Sequence, residues 1–235
     1  MTQPILAAEG LSKTYGTTRA LDGVSLTVYP GESVAIMGPS GSGKTTLMHV
    51  LSGILTPEAG DVQLNTAQGP TTVSALKPEQ RAKLRRTQIG FVFQEGLLMP
   101  ELTARENVAV ALMLSGTPRK QAETHADAWL RAMGLAGMEH RRPAELSGGQ
   151  AQRVAIARAQ AASPGIVFAD EPTGALDSAT SDQVLNTLLD STISRGAPLV
   201  IVTHDPAVAQ RCRRLVRLED GQIVHDAVRA GVAAA

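Results

Sequence analysis

Residues 34–45 read Val34-Ala35-Ile36-Met37-Gly38-Pro39-Ser40-Gly41-Ser42-Gly43-Lys44-Thr45, an apolar run followed by a glycine-rich loop. Four apolar residues without polar alternation predict a strand buried on both faces. The loop matches G-x-x-x-x-G-K-[ST], in which glycines let successive backbone N–H groups turn inward towards phosphate oxygens. Apolar side chains at helical spacing follow, up to Leu55, so that a helix N-terminus would face the same phosphates. This succession predicts an α/β fold with a P-loop nucleotide-binding core.

The residue types in the loop suit a nucleotide with its magnesium ion. Lys44 would reach the β- and γ-phosphates as a point charge, and the hydroxyl of Thr45 would bind Mg²⁺. The predicted phosphate-binding residues are Gly38, Pro39, Ser40, Gly41, Ser42, Gly43, Lys44, Thr45 and Thr46. The alternative is a glycine-rich turn with an accidental lysine, and the position between a buried strand and an amphipathic helix argues against it.

Other apolar runs have the same unalternated character, which is typical of a mainly parallel sheet. They are Ile89–Phe93, Ile166–Ala169 and Leu199–Val202. Polar side chains follow each run: Gln94 after the first, Asp170 and Glu171 after the second, and Thr203 and His204 after the third. Because ligands of open α/β sheets bind outside the carboxyl ends of the strands, we expect these side chains to share one site.

Asp170 and Glu171 form a carboxylate pair directly after a buried strand. Beside a phosphate loop, the first acid can hold Mg²⁺ through water, and the second can orient and activate a water for attack on the γ-phosphate. Taken alone, the pair is equally typical of a solvated surface loop. The nearby phosphate loop makes the catalytic interpretation the favoured one.

The rest of the chain divides into regions by pattern. Shorter alternating runs at Ile5–Leu11 and Leu21–Tyr29 predict an antiparallel β region at the start. Strand patterns are absent between about residues 95 and 163, which predicts a helical subdomain inserted into the core. We predict a single domain over residues 1–225 and a flexible tail over residues 226–235.

The composition excludes several classes of protein. The 235 residues carry 22 basic and 22 acidic side chains, and this balance argues against a dedicated nucleic-acid binder. One Trp, two Tyr and three Phe are too few for a base-stacking platform. Nowhere do about 18 apolar residues run together, the length that a membrane span needs. We therefore expect any membrane role to depend on a partner.

Cys212 is the one cysteine of the sequence. It cannot form an internal disulfide, so a reducing compartment is expected. Its neighbours Arg211 and Arg213 could lower the pKa of the thiol and make it reactive. An inert thiol is the competing interpretation and the favoured one.

A second glycine-rich segment reads Leu146-Ser147-Gly148-Gly149-Gln150. The residues after it have a helical pattern, so Ser147, Gly148 and Gly149 would lie at a helix N-terminus, which is itself a ready phosphate site. A single small nucleotide does not need two such sites. One copy of the chain therefore leaves the purpose of the second segment open.

With this segment, the chain resembles the ATP-binding-cassette ATPases over about residues 5–225. The resemblance rests on the loop Gly38–Thr45, a Q-loop at Gln94, the signature Leu146–Gln150, the strand ending at Asp170-Glu171, a D-loop at Gly174–Asp177 and an H-loop at His204. It implies that two copies pair head to tail, so that the signature of one copy completes the phosphate loop of the other.

The resemblance also implies roles for individual residues, with ATP and Mg²⁺ as the bound groups. The implied catalytic residues are Glu171, His204, Gln94 and Lys44, and the implied metal-binding residues are Thr45, Gln94 and Asp170. Ser147, Gly148, Gly149, Gln150 and Asp177 join the phosphate loop as nucleotide-binding residues. Tyr15 matches the aromatic residue that stacks on adenine in the family, with Tyr29 as the alternative platform.

The segment from Ile89 to Val108 looks most like a bacterial subgroup that includes lipoprotein-releasing and macrolide-efflux ATPases. This implies two partners: an integral membrane permease-type subunit, docked on Gln94 and the helices after it, and a second copy of the chain. No nucleic-acid partner is expected. The implied location is the cytoplasmic side of the cell membrane, where the chain is peripheral and bound through the membrane subunit.

Other functions remain as alternatives. A soluble cassette that acts on nucleic acid or ribosomes would need a long coiled coil or a second cassette, and the sequence has no sustained heptad run. A non-catalytic regulatory cassette would lack the general base or the histidine, whereas Glu171 and His204 are both present. Basic residues between Lys77 and Arg86 predict a solvated surface, with attraction to anionic lipid headgroups as the alternative.

Overall fold

Two β-sheets and a group of helices make up residues 3–66 and 69–229, the part of the chain that the computed structural model describes. The strands are β1 Leu6–Tyr15, β2 Thr18–Val28, β3 Ser33–Met37, β4 Ala59–Thr66, β5 Gly69–Thr72, β6 Ile89–Val92, β7 Ile166–Asp170, β8 Leu199–Val202, β9 Arg214–Glu219 and β10 Gln222–Val228. The α-helices are α1 Lys44–Leu51, α2 Pro78–Gln88, α3 Ala104–Leu114, α4 Arg119–Ala132, α5 Gly148–Ala161, α6 Ser178–Ile193 and α7 Pro206–Gln210.

The larger sheet has the strand order β10-β9-β3-β8-β7-β6. All of its neighbouring pairs are parallel except β10 with β9. Its central strands are buried along their length, in agreement with their unalternated apolar sequences. Since the carboxyl ends of parallel strands lie at one edge, the loops after β3, β6, β7 and β8 are brought together there.

The smaller sheet is antiparallel, with the order β2-β1-β4-β5. Leu6, Leu11 and Leu21 on β1 and β2 belong to one apolar cluster with Leu47 and Leu51 of α1. The prediction of an antiparallel β region at the start of the chain is confirmed. Strands β4 and β5 were not predicted from the sequence, because their alternation is short and interrupted by polar residues.

Helix α1 is shorter than the apolar spacing suggested. It ends at Leu51, with Ser52 as the C-cap, four residues before the predicted end. Gly53 follows with a φ of +68°, and a Cβ there would lie 2.7 Å from Cγ1 of Val73. The chain therefore turns away from the helix axis at Gly53, although Leu55 still packs against the apolar cluster.

Helices α3, α4 and α5 lie between β6 and β7 in the chain and pack against one another. Thr103 caps α3 through its side-chain oxygen, which accepts the N–H of Glu106 at 3.2 Å. Glu106 accepts the N–H of Thr103 in return at 2.9 Å, which completes a capping box. The inserted helical region predicted from the sequence is present, and it leads through α5 back into the sheet at β7.

The predicted tail over residues 226–235 begins too early. Strand β10 continues to Val228, and the guanidinium of Arg214 donates to both carboxylate oxygens of Asp226 at 2.6 Å. Arg214 also donates to Glu32 at 3.3 Å, and its side chain is nearly buried. These ion pairs hold residues 226–228 in the sheet. The last six residues of the expected tail lie outside the described part of the chain.

Cys212 is fully buried, and burial raises the pKa of its thiol to about 12, although Arg229 and Arg211 act in the opposite direction. The thiolate is then almost absent at neutral pH. We expect no alkylation by iodoacetamide at pH 8 in the native protein and complete alkylation in denaturant, read as a mass increase. Rapid modification of the native protein would contradict the burial.

Candidate nucleotide site

Backbone hydrogen bonds join three strand ends at the edge where the site forms. The N–H of Thr203, after β8, donates to the carbonyl of Ile36 in β3 at 3.1 Å. The N–H of Glu171, after β7, donates to the carbonyl of Val202 in β8 at 2.9 Å. The phosphate loop after β3, the acid pair and His204 are therefore neighbours at one edge, as the sequence predicted.

The phosphate loop needs glycine at two positions because other backbone lies against it. A Cβ on Gly38 would lie 2.0 Å from the carbonyl oxygen of Leu218, which is far inside van der Waals contact. A Cβ on Gly43 would lie 2.1 Å from the carbonyl oxygen of Ala20, and Gly43 also has a φ of +100°. Strands β9 and β2 thus hold the loop in a tight curve.

The loop also carries polar groups that suit an anion. The Lys44 ammonium donates to the carbonyls of Gly38 at 2.9 Å and Pro39 at 2.8 Å, which folds it back over the loop. The Ser42 hydroxyl oxygen is buried and has no hydrogen-bond partner within the described residues. Such a group costs free energy unless it is satisfied. A phosphate in the loop would supply acceptors for both side chains, so the residues fit the group.

Asp170 closes β7 and is half-buried. Burial raises the pKa of its carboxyl, and the adjacent charge of Glu171 raises it further, while His49 and Lys44 act to lower it. Burial lowers the pKa of His49 on α1, and the charge of Asp170 opposes that shift. His49 belongs to no sequence motif, yet the fold brings it into the electrostatic environment of Asp170.

A divalent cation would find a hydroxyl at Thr45 and a carboxylate at Asp170. Across residues 3–66 and 69–229, no group of three or more His, Cys, Asp or Glu side chains could hold a metal ion on its own. Mg²⁺ is usually held by one or two protein ligands, water and substrate phosphates. The donor set therefore fits a cation that arrives with a nucleotide.

Glu171 has an unusual backbone and a well-bonded side chain. Its φ is +44°, in the left-handed region, and its carboxylate is mostly buried. Oε1 accepts the backbone N–H of His204 at 3.0 Å and lies 2.7 Å from Nδ1 of the same residue. Oε2 accepts the hydroxyl of Thr203 at 3.1 Å. Two predicted catalytic residues, Glu171 and His204, are thus in direct contact.

Gln94 lies on the surface, two residues after the last residue of β6. Its Nε2 lies 2.9 Å from the point that a Cβ on Gly174 would occupy, so its amide packs on the loop that follows Glu171. The start of the Gln94 loop is bound to α5, because Gln152 donates to the carbonyl of Phe93 at 2.8 Å. Arg158 donates to the carbonyl of Gly96 at 2.6 Å. Neither Gln152 nor Arg158 was predicted from the sequence, because neither belongs to one of its motifs.

Ser147 is the N-cap of α5, so the signature lies at a helix N-terminus as predicted. Its hydroxyl oxygen accepts the N–H of Gln150 at 3.3 Å, which leaves the hydroxyl proton free to bind another group. Oε1 of Gln150 accepts the N–H of Ser147 at 2.9 Å. A Cβ on Gly149 would lie 2.3 Å from Thr180. The signature thus packs on α6, and its neighbours differ from those of the phosphate loop.

Asp177 is the N-cap of α6. Its carboxylate accepts the N–H of Thr180 at 3.0 Å, and the hydrogen bonds from Thr180 lower its pKa. In a single copy of the chain, this carboxylate therefore serves to start a helix. The residue is exposed, so a further contact to a second copy remains sterically open.

The two tyrosines lie at opposite ends of the smaller sheet. Tyr15 is the last residue of β1 and pairs with Thr18 of β2. Thr18 is two residues before Ala20, whose carbonyl lies against Gly43 of the phosphate loop. Tyr15 is 49% exposed, and the Lys13 ammonium lies 5.8 Å from its ring centroid. Tyr29 follows the far end of β2, about 30 Å from Ala20 at the rise of an extended strand. The geometry favours Tyr15 as the platform beside the phosphates.

Known proteins are similar to this chain in sequence and in fold. A family model described as ABC transporter matches residues 21–174. The macrolide export ATP-binding/permease protein MacB of Sodalis glossinidius is 45% identical over 230 residues, which cover 96% of this chain and 34% of that protein. The lipoprotein-releasing system ATP-binding protein LolD of Hyphomonas neptunium is 40% identical over 228 residues, which cover 95% of this chain and 98% of that protein. The chain spans about a third of the length of the macrolide-export relative.

Solved structures agree with this relationship. The ATP-binding cassette MJ0796, described as a dimer in a post-hydrolysis state bound to ADP and Pi, matches with a TM-score of 0.86 and 36% identity. The match covers 96% of this chain and 99% of that chain. In residues 3–66 and 69–229, no helix combines the length and the apolar character that crossing a membrane requires. The chain therefore belongs to the ABC transporter family and is one of its ATP-hydrolysing cassettes.

Proposed function

We propose that this chain is the ATPase subunit of a bacterial transporter or mechanotransmission complex, and that two copies bind ATP and Mg²⁺ head to tail to drive a membrane partner. One observation carries the catalytic part of the proposal. The edge of the larger sheet brings Lys44, Asp170, Glu171 and His204 together around a loop shaped for phosphate.

Each side chain has a task in this proposal. Glu171 takes a proton from the attacking water, and Lys44 and the N–H groups of Gly38–Thr45 stabilise charge on the phosphates. Thr45, Asp170 and Gln94 would hold Mg²⁺, which would neutralise phosphate charge when bound. His204 leaves Glu171 to contact the γ-phosphate, and its 74% exposed side chain has room to turn. Tyr15 stacks on the adenine.

A head-to-tail dimer gives the signature its purpose. The Ser147 hydroxyl has a free proton, and the N-termini of α1 and α5 are both suited to phosphate. In a two-fold pair, Ser147, Gly148, Gly149 and Gln150 of one copy cover the phosphate loop of the other. Dimeric cassettes among the structural relatives support this arrangement.

The alternatives have less support. Net charge is zero, and the described relatives are named for macrolide export and lipoprotein release, so nothing favours action on nucleic acid or ribosomes. A regulatory cassette without turnover would be expected to lack a catalytic group, whereas Glu171 and His204 are present and in contact. We therefore retain hydrolysis coupled to a membrane partner.

A groove of about 340 Å³ is suited to that partner. Its walls come from α2, β6, α3 and α5, and it includes the apolar side chains of Leu97 and Leu114, which are 57% and 59% exposed. Arg85 and Arg86 also line it, so the basic residues of α2 are placed for an acidic segment as well as for lipid headgroups. An amphipathic helix of a permease-type subunit fits such a surface. Docking there places the chain at the cytoplasmic face of the membrane.

Substitutions of apolar side chains in the groove test whether a membrane partner docks there. We expect Leu97→Glu and Leu114→Glu each to reduce co-purification of an integral membrane protein from detergent-solubilised membranes at least about 10-fold, because each puts a charge against an apolar contact. The matched control is Val224→Glu on β10, another exposed apolar side chain that lies outside the groove.

Thermal unfolding midpoints of the three variants should stay close to that of the unmodified protein, because all three side chains are exposed. Wild-type recovery of the membrane protein by both groove variants would reject this docking surface. Recovery of ribosomes or nucleic acid in place of a membrane protein would reject the proposed partner.

A further inference from the structure

Glu171 is the group on whose orientation the proposed hydrolysis depends. Its left-handed backbone is a conformation that non-glycine residues adopt only at a cost. The carboxylate is therefore placed by its contacts rather than by local preference. Those contacts come from two residues of one loop, Thr203 and His204, directly after β8.

Thr203 is held rigidly at the end of β8. It is 1% exposed, and its backbone N–H donates to the carbonyl of Ile36 at 3.1 Å. Its hydroxyl oxygen accepts the N–H of Asp205 at 3.0 Å. The hydroxyl proton is then directed to Oε2 of Glu171, the acceptor at 3.1 Å. The Thr203 side chain thus links the start of α7 to the carboxylate of Glu171, while its backbone N–H is bound to β3.

His204 holds the same carboxylate in a different way. Its ring is 74% exposed and is free to turn towards a nucleotide, whereas the side chain of Thr203 is enclosed. When the ring leaves, the contacts that remain on Glu171 are the Thr203 hydroxyl on Oε2 and the His204 backbone N–H on Oε1. Of the two, only the threonine contact comes from a side chain and can be removed by substitution.

We infer that Thr203 is a positioning residue for the general base: its hydroxyl holds Oε2 of Glu171 and leaves Oε1 to accept the proton of the attacking water. The inference rests on the proposed function, in which Glu171 is that base. The water oxygen bonds to the γ-phosphorus as its proton passes to Oε1, and the bond to the ADP oxygen breaks. Thr203 itself forms and breaks no covalent bond in this step.

Three substitutions of Thr203 differ in how well the new side chain can donate a hydrogen bond to Glu171. Thr203→Val keeps the shape but removes the donor, and we expect kcat to fall about 10-fold with an unchanged KM for ATP. Thr203→Ser keeps the hydroxyl and should remain within about 2-fold of the unmodified protein. Thr203→Cys has a weak donor and should fall between the two. This order keeps the test informative even where the valine variant folds poorly.

Thr192→Val is the matched control. Thr192 is also a fully buried threonine, and its hydroxyl donates to the carbonyl of Leu188 at 2.7 Å, but it lies in α6 away from the carboxylate. We expect its kcat to stay within about 2-fold of the unmodified protein. A comparable fall in kcat in both valine variants would show a general structural effect and overturn the inference.

A double-mutant cycle with Glu171→Gln tests separately whether Glu171 is the general base and whether Thr203 positions it. In single-turnover assays, adding Thr203→Val to Glu171→Gln should change the residual rate less than about 2-fold, because the base that Thr203 positions is gone. An undiminished effect of Thr203→Val in that background overturns the inference. If Glu171→Gln alone turns over normally, the proposed base is wrong. If Glu171→Gln is inactive and Thr203→Val behaves as wild type, only the role of Thr203 fails.

Discussion

Replacement of Glu171 by glutamine should lower steady-state ATP hydrolysis at least about 100-fold, because an amide cannot accept a proton from water. Glutamine has the size of glutamate, but only its carbonyl oxygen can accept, so it keeps one of the two contacts, from the hydroxyl of Thr203 or from the N–H of His204. The substitution leaves the phosphate loop untouched. ATP binding should therefore persist. We expect the variant to accumulate as an ATP-bound dimer, observed as a doubled mass in sedimentation with ATP but not with ADP.

The control for this change is Glu79→Gln, the same substitution at an exposed position of α2. It should hydrolyse ATP at the unmodified rate and should form no lasting dimer. Turnover near the unmodified rate in Glu171→Gln would show that another group activates the water. Loss of ATP binding in the same variant would instead indicate a disturbed phosphate loop.

Replacement of Ser147 by alanine should abolish ATP-dependent dimerisation while each copy still binds ATP. The Ser147 hydroxyl would donate to a phosphate of the opposite copy, and the two-fold dimer contains this contact twice. A hydrogen bond to a charged group contributes about 1.5–3 kcal/mol. Loss of both contacts then weakens the dimer at least about 100-fold. Sedimentation in the Glu171→Gln background measures the dimer, and a fluorescent ATP analogue measures binding to each copy.

Thr103→Ala is the matched control for Ser147→Ala. Both residues are N-caps with a capping box, at the starts of α3 and α5. Each substitution should cost about 1 kcal/mol of stability through loss of the cap. Only the change at Ser147 should reduce dimerisation. Equal dimerisation by the two variants would remove the signature from the proposed interface.

Patterns that extend over a few neighbouring residues were readable from the sequence. The apolar runs predicted β3, β7 and β8, because strands buried on both faces have no polar alternation. The loop Gly38–Thr45 and the signature at Ser147 were found by spacing alone. The predicted tail was wrong because a distant contact overrides the local pattern: Arg214 keeps Asp226 in β10. The end of α1 is a local signal that the apolar spacing does not show, because Gly53 has a φ of +68° and the N–H of Ile54 donates to the carbonyl of His49.

In the candidate site, too, the sequence predicted individual residues, and the fold determined the contacts between them. Sequence alone identified Lys44, Asp170, Glu171 and His204, because each follows a recognisable strand or completes a recognisable motif. Tertiary structure decided which of these side chains touch. It showed that the hydroxyl of Thr203, expected near the site only from its position after a strand, reaches Glu171 across 32 residues of chain. It also explains why positions 38 and 43 need glycine, because the carbonyls of Leu218 and Ala20 occupy the space that a side chain would take. Motifs arise from local backbone preference and charge, whereas these contacts depend on how β2, β8 and β9 pack beside β3 and β7, which no local pattern encodes.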